Sequence, residues 1–298
     1  MRDAAGLYAG PIIDPHHHLF DRSLDNHPWL RGATGVLAHS CLPADYLRDT
    51  AGHNVVGTVH VEAGWEPSDP FGELAWLDAL EKPDWMARRY VGNAILDAPD
   101  VQGILDRYAA HGKVVGVRDI LSWHPDPARS FSKDRHRMSS PAWRAGLKHL
   151  DSLGLSFDLM ISPWQAAEAL ELARAFPNLS FIVNHCGSPF DRTDAGMNHW
   201  RAGLNELATA PNVTIKVSDL VAYDPGWTRE SLRPVVMDCL EAFGTDRTML
   251  ASDHPVVGLS ATFDQAYQAF KVILEDLSDG ELGEVFAGNA RRLYRLDV

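Results

Sequence analysis

The sequence has few cysteines and no excess of basic residues, and each absence argues against a class of protein. Cys41, Cys186 and Cys239 are its 3 cysteines; they lack CxxC spacing, and any disulfide would leave one of them unpaired. We expect reduced thiols. Asp and Glu number 40 against 27 Lys and Arg, a net charge of −13. Nucleic acids and anionic membrane surfaces attract clustered basic residues, so neither is the expected partner.

Targeting and membrane-spanning segments are also missing from the sequence. Residues 1–11 carry acidic and small side chains, not the basic start and apolar core of a signal peptide. No run of about 18 apolar residues occurs, so no segment is a candidate transmembrane helix. These features predict a cytoplasmic protein that acts on a small molecule. They leave its oligomeric state open.

What the sequence does contain is a regular alternation of short β-rich apolar segments and longer amphipathic ones. A helix between successive strands returns the chain to the same end of the sheet, so the strands are parallel, and eight such units close a barrel. An open doubly wound sheet fits less well, because no GxGxxG or GxxxxGK motif occurs. We predict an α/β fold, a (βα)8 TIM barrel with extended βα loops and a C-terminal helix, in a single domain of residues 1–298. The predicted strands are residues 12–18, 55–62, 90–97, 114–121, 155–161, 179–185, 213–219 and 247–253.

A histidine cluster ends the first predicted strand, in the sequence Asp14-Pro15-His16-His17-His18. Residues two apart on a strand share a face, so His16 and His18 should point together into the barrel mouth and His17 away from it. Paired imidazoles can hold a divalent metal or donate hydrogen bonds to an oxyanion. Isolated histidine triplets also occur by chance at loop starts. The preceding acid and the position at a strand end favour a functional site.

His185 and Asp253 end the sixth and eighth predicted strands, at the edge where barrels assemble their active sites. The Asp253 carboxylate suits a general base that activates water, although Asp-x-Pro is also common turn chemistry. His185 follows an apolar strand and would by default be a core residue. The Gly-Ser-Pro bend after it favours the site instead.

Several short motifs resemble the amidohydrolase superfamily. They are DxHxH on the first strand, NHCGSP around His185 and ASDHP around Asp253. VVGVR at 114–118, KVSDL at 216–220 and GNARRLY at 288–294 narrow the resemblance to the lactonase branch, with 2-pyrone-4,6-dicarboxylate lactonase, L-fuconolactonase and sulfomuconolactone hydrolase. The resemblance covers nearly the whole chain. It implies that Asp253 activates the hydrolytic water.

Features of the binuclear members of the superfamily are missing. Those members use a carboxylated lysine on a middle strand, yet the predicted strand 114–121 contains none, and Lys113 precedes it at the wrong end. The fifth and seventh predicted strands also lack a further ligand histidine. We expect one divalent metal at most, with Zn²⁺ favoured; some similar lactonases work without metal, so the requirement stays open. The expected ligands are His16, His18, His185 and Asp253.

Four further polar residues are predicted to bind the substrate. Arg118 on the fourth strand offers a bidentate fork for a carboxylate or for sugar hydroxyls; the structural alternative is an ion pair with Asp119 or another loop acid. Lys216 on the seventh strand, and His60 and Glu62 on the second, alternate with apolar neighbours and would face the barrel mouth.

Together these features predict a lactonase that opens a sugar-acid lactone, a muconolactone or a pyrone dicarboxylate. They are compatible with either a neutral or an anionic substrate. Three alternatives remain. A metal-dependent nonoxidative decarboxylase shares the His-x-His and Asp motifs but usually needs another ligand histidine. An amide hydrolase would use the same site. A catalytically silent barrel that binds a sugar acid would not need a base such as Asp253 opposite the histidines.

Overall fold

The central element of the computed structural model, which describes residues Met1–Val298, is one parallel sheet of eight strands in the order β1 to β8. The predicted strands are all present, but all eight end earlier than predicted. β6 has three residues instead of seven, because the chain turns immediately after Val183. The strands are β1 (Ile12–His17), β2 (Val55–Val61), β3 (Arg89–Asn93), β4 (Val114–Arg118), β5 (Ser156–Leu159), β6 (Phe181–Val183), β7 (Val213–Val217) and β8 (Thr248–Leu250).

Backbone hydrogen bonds join β1 to the segment that follows β8. The Asp253 N–H donates to the His16 carbonyl at 2.9 Å, and the His18 N–H donates to the His254 carbonyl at 2.7 Å. His17 and His254 form a parallel bridge between these bonds. The fold is the (βα)8 TIM barrel that the alternating pattern predicts.

Helices separate the strands, and local sequence explains where several of them begin. Pro43 starts α1 without the loss of a helical hydrogen bond, and the Thr193 and Thr262 hydroxyls accept from the first turns of α6 and α8. None of the helices is both long and apolar enough to cross a membrane. The helices are α1 (Pro43–Thr50), α2 (Gly72–Ala79), α3 (Val101–Ala110), α4 (Pro141–Ser152), α5 (Ala166–Ala175), α6 (Asp194–Ala208), α7 (Arg229–Phe243), α8 (Phe263–Ile273), α9 (Asp279–Gly283) and α10 (Asn289–Leu293).

The C-terminal helix is present but is not regular. It consists of α9, a π-helical turn over Glu284–Gly288, and α10, so it starts one residue before the predicted position 280 and ends two residues before 295. Phe286 from the π turn stacks on Tyr8 with ring centroids 4.5 Å apart. This contact buries the helix against the N-terminal segment.

The chain divides into two compact units by its internal contacts, Met1–Tyr90 with Ser218–Val236 and Met249–Val298, and Val91–Val217 with Met237–Thr248. In the first unit, the Phe263 and Tyr267 rings of α8 stack with centroids 4.4 Å apart. In the second, β4 to β7 pair in continuous register, and the fully buried Trp143 ring lies edge-on to Phe157 at 5.6 Å. The assignment of residues 1–298 to one domain stays a prediction.

Candidate active site

Three predicted site residues converge in the first unit, at the carboxyl ends of β1 and β8. The Nε2 atoms of His16 and His18 lie 3.3 and 3.2 Å from one carboxylate oxygen of Asp253, Oδ1. All three side chains are buried, and Asp253 has a left-handed backbone with φ +58°. Such a conformation costs energy for a residue other than glycine, and strained residues of this kind cluster at functional sites.

The hydrogen-bond pattern of His18 shows which ring atom faces Asp253. His18 Nδ1 lies 2.8 Å from the Val61 carbonyl oxygen, which can only accept, so Nδ1 carries a hydrogen. In a neutral ring Nε2 then carries the lone pair, and this acceptor faces a second acceptor, Asp253 Oδ1, at 3.2 Å. A cation between the two atoms, either a proton on the ring or a metal ion, makes the arrangement favourable.

The same atoms fit a divalent metal ion. The ligand atoms of His16, His18 and Asp253 lie within 4.8 Å of one another. Zinc bonds of about 2.0–2.1 Å in tetrahedral geometry separate neighbouring ligand atoms by about 3.4 Å. The observed separations of 3.2 and 3.3 Å to the Asp253 oxygen agree with that value. The chemistry of this donor set, two imidazoles and a carboxylate, is also that of zinc sites.

Asp14 connects β1 to the segment after β8 that carries Asp253. Its carboxylate accepts from the Ser252 N–H at 2.9 Å, from the Ser252 hydroxyl at 2.5 Å and from the Tyr46 hydroxyl at 2.8 Å. Burial raises the pKa of Asp14, and the hydrogen bonds from Ser252 and Tyr46 partly offset that rise. Because Ser252 precedes Asp253, Asp14 links β1 to the backbone that carries the candidate base.

His17 and His60 lie behind the metal-compatible cluster and have protein partners. His17 Nε2 bonds to the Thr58 hydroxyl at 2.8 Å. His60 Nδ1 accepts from the Leu19 N–H at 3.2 Å, so its Nε2 carries the hydrogen and donates to Glu73 Oε1 at 3.1 Å. Both ring nitrogens of His60 are therefore engaged, and contact with the substrate stays a prediction.

Glu73 is a buried acid that the sequence analysis did not single out. Burial by itself raises the pKa of Glu73, but its bonds to His60 and to the Ala63 N–H bring the pKa below the usual value. Burial lowers the pKa of His60, so a neutral imidazole faces a carboxylate. Glu62 is also buried, and its Oε2 accepts from the Gly64 N–H at 2.8 Å.

His185 lies in the second unit, in a turn and not on a strand. The 3-10 turn His185–Gly187 follows β6, and His185 and Cys186 both have positive φ, 51° and 55°. The Trp200 indole donates to the Cys186 carbonyl at 2.7 Å and supports this turn. His185 is 4% exposed. The turn begins at His185, two residues after the strand ends, and leads into the Gly-Ser-Pro segment at 187–189.

Lys216 and Arg118 are also buried in the second unit. Lys216 Nζ lies 2.5 Å from Asp158 Oδ1, and the Asn184 side chain donates to the same oxygen at 2.9 Å. Asp119, one of the acids predicted as an alternative partner of Arg118, accepts from the Arg137 guanidinium at 2.8 Å. Asp158 is a charged residue inside the apolar strand SFDL, a position that indicates a buried polar contact, and it is not among the predicted site residues.

The chain belongs to the amidohydrolase family, whose model matches residues 13–296. A relative in Sinorhizobium fredii, the uncharacterized protein y4mH, is 37% identical over 296 residues, 96% of this chain and 98% of the relative. The L-fucono-1,5-lactonase of Burkholderia multivorans is 29% identical over 95% of this chain and 96% of its own length. The crystal structure of a Burkholderia multivorans amidohydrolase with bound zinc has 25% identity and a TM-score of 0.82, and the match covers 96% of this chain and 100% of that one.

Proposed function

We propose that the protein hydrolyses a lactone ring, with Asp253 as general base and with His16, His18 and His185 polarising the lactone carbonyl. The observation that carries the proposal is the convergence of two imidazole nitrogens on one Asp253 oxygen, at 3.3 and 3.2 Å. The relatives support the reaction class, since one that matches 95% of this chain is an L-fucono-1,5-lactonase. His185 follows β6, so it lies at the carboxyl end of a barrel strand. Barrel enzymes have their active sites at that end of the strands.

The proposed reaction uses one carboxyl group twice. Asp253 accepts a proton from water as the water oxygen bonds to the lactone carbonyl carbon. Negative charge that develops on the carbonyl oxygen is met by the histidine rings, and His18 can donate from Nε2 only when that atom carries the extra proton described above. Preorganised donors of this kind are usually the largest contribution to catalysis. The bond to the ring oxygen then breaks, and protonated Asp253 returns the proton to that oxygen. The leaving group stays attached to the product, so it remains within reach of the same residue.

The residues fit one divalent metal ion, and we propose Zn²⁺. When bound, zinc supplies a Lewis acid for the carbonyl oxygen. Elemental analysis of purified protein should find no more than one equivalent per chain. Two tightly bound equivalents would contradict this ligand assignment, because a bridging ligand would then have been missed. The proposed ligands are His16, His18, His185 and Asp253.

Substrate contacts are proposed for Arg118, Glu62, His60 and Lys216. Arg118 is the favoured one, because its guanidinium offers a bidentate fork that matches a carboxylate. His60 and Lys216 have weaker geometric support, since their nitrogens already contact Glu73 and Asp158. The substrate classes under test are sugar-acid lactones, muconolactones and pyrone dicarboxylates.

A panel of aldonolactones, aldarolactones, muconolactones and a pyrone dicarboxylate tests the proposed function directly. Acid release is followed with a pH indicator, with and without prior chelation, for the wild type and for Asp253→Asn. We expect at least one lactone to be hydrolysed by the wild type, with loss of activity in the variant. If no lactone reacts, or if the variant matches the wild type, the assignment is wrong. Carbon dioxide release from an aromatic acid in place of lactone opening would indicate the decarboxylase alternative.

A further inference from the structure

The loop that follows β1, residues 18–42 and here called the β1 loop, is fixed against the segment after β2. The Trp29 indole donates to the Ala63 carbonyl at 2.5 Å, and the Glu66 N–H donates to the Asn26 carbonyl at 2.7 Å. The His27 ring lies edge-on to Trp65, 5.1 Å between centroids. The loop begins at His18, so these contacts hold it beside the metal-compatible cluster.

Arg22 in this loop has a guanidinium with no hydrogen bond or ion pair, and its Nε is buried. The acids nearest in sequence are committed elsewhere. Asp21 accepts from the Ser23 N–H at 2.9 Å, and Asp25 pairs with Arg31 at 3.0 Å. A buried N–H donor without an acceptor is unfavourable, and in a chain of net charge −13 acids are plentiful. An anion could therefore supply the acceptor that the Arg22 guanidinium lacks.

His27 offers a second unpaired group in the same loop. It is 3% exposed, and its Nε2 is buried without a hydrogen-bond partner. Burial, and the nearby positive charge of Arg22 among smaller contributions, lower the pKa of His27 to about 4. The ring is neutral at pH 7, where it presents one donor and one acceptor. Arg22 and His27 lie five residues apart in the β1 loop, and each has a buried nitrogen without a hydrogen-bond partner.

We propose that Arg22 and His27 form an anion-binding subsite for a carboxylate of the substrate, which makes the substrate a lactone that carries a negative charge. The guanidinium matches a carboxylate in a bidentate geometry, and the imidazole supplies a further hydrogen bond. This inference rests on the proposed lactone hydrolysis. It does not depend on Arg118, which lies in the other unit.

Calorimetric binding of carboxylates that cannot react tests the subsite without catalysis. The probes are D-glucarate, galactarate and cis,cis-muconate, titrated into the wild type and into Arg22→Met. The matched control is Arg31→Met, in the same loop but already paired with Asp25. We expect about 10- to 100-fold weaker binding for Arg22→Met, the usual effect of losing a charge-assisted pair, and less than a threefold change for the control. Equal binding to Arg22→Met and wild type, or no wild-type binding at 10 mM, overturns the proposal.

Lactone kinetics separate this inference from the proposed function. We expect Arg22→Met to lower kcat/KM for D-glucaro-1,4-lactone, which bears a carboxylate, and to leave that for neutral D-glucono-1,5-lactone within about threefold. His27→Gln, which keeps a donor and an acceptor, should retain more of the charged-lactone activity than His27→Phe. If carboxylate binding depends on Arg22 but no lactone reacts, the subsite stands and the proposed function fails. If lactones react with an unchanged charged-to-neutral ratio in Arg22→Met, the function stands and the subsite is wrong.

Discussion

Replacing Asp14 by alanine removes the acceptor that joins β1 to the segment carrying Asp253. The Ser252 N–H and the Tyr46 hydroxyl, both buried, then lose their partner, and the His16 N–H loses a longer contact of 3.4 Å. The Ser252 hydroxyl can still reach the His16 carbonyl at 3.3 Å and so keeps an acceptor. Each unsatisfied buried donor costs about 1–3 kcal/mol, so Asp14→Ala should lower the free energy of unfolding by about 2–6 kcal/mol. That is a large share of the roughly 5–15 kcal/mol by which proteins are stable.

Asp14→Asn and Tyr46→Phe test whether the lost acceptor is the cause. The asparagine oxygen can still accept from the Ser252 N–H, and its amide can donate to the two hydroxyl oxygens, so the Tyr46 O–H is the one hydroxyl that loses its acceptor. Burial raises the pKa of Asp14, so removing the charge also relieves a desolvation cost. We expect Asp14→Asn to cost less than about 1.5 kcal/mol. Tyr46→Phe, which leaves no buried donor unpaired, should cost about 1 kcal/mol.

Urea unfolding of metal-free protein, followed by circular dichroism, measures the series. The expected order of stability is wild type, then Tyr46→Phe and Asp14→Asn together, then Asp14→Ala well below them. If Asp14→Ala unfolds within about 1 kcal/mol of the wild type, the carboxylate is not the link that its hydrogen bonds indicate. If Asp14→Asn is as unstable as Asp14→Ala, then the negative charge of Asp14, and not its hydrogen-bond acceptance, stabilises the contact between β1 and the segment that carries Asp253.

Three further predictions concern catalysis, substrate binding and pH. Asp253→Asn should fold normally and lose about two to four orders of magnitude in kcat, the usual contribution of a positioned base; near wild-type turnover would remove Asp253 from the mechanism. Arg118→Met should raise KM strongly and change kcat less if the guanidinium binds substrate, whereas a purely structural role predicts a lower Tm and an unchanged KM. His27 has a pKa of about 4 when folded, below the 6.5 of the free side chain, so the unfolded chain binds its proton first as pH falls. Relative to His27→Phe, the wild type should therefore lose about 3 kcal/mol in its free energy of unfolding between pH 6.5 and pH 4. Parallel curves of unfolding free energy against pH for the two proteins would contradict this.

Local sequence information was sufficient for the fold and for the centre of the candidate site. Alternation of apolar segments determines which residues form parallel strands, and a period of two puts His16, on β1, and His18, the residue that follows β1, on one face. Placing Asp253 beside them needs only the rule that barrel strands share a carboxyl edge. Strand ends were the least accurate part. Turns such as His185–Gly187 are set by positive φ values that side-chain type does not reveal.

Only the tertiary structure decided which partner each polar side chain has. Lys216 pairs with Asp158, 58 residues away, and Asp14 bonds to Ser252 across 238 residues, so no local pattern could indicate either contact. Two arginines of the β1 loop also show that position in the sequence does not fix the partner. Arg31 pairs with Asp25 and Arg22 has no partner, although both lie within six residues of that acid. Hydrogen bonds act over about 3 Å and depend on angle, so their partners follow from the folded geometry and not from order along the chain.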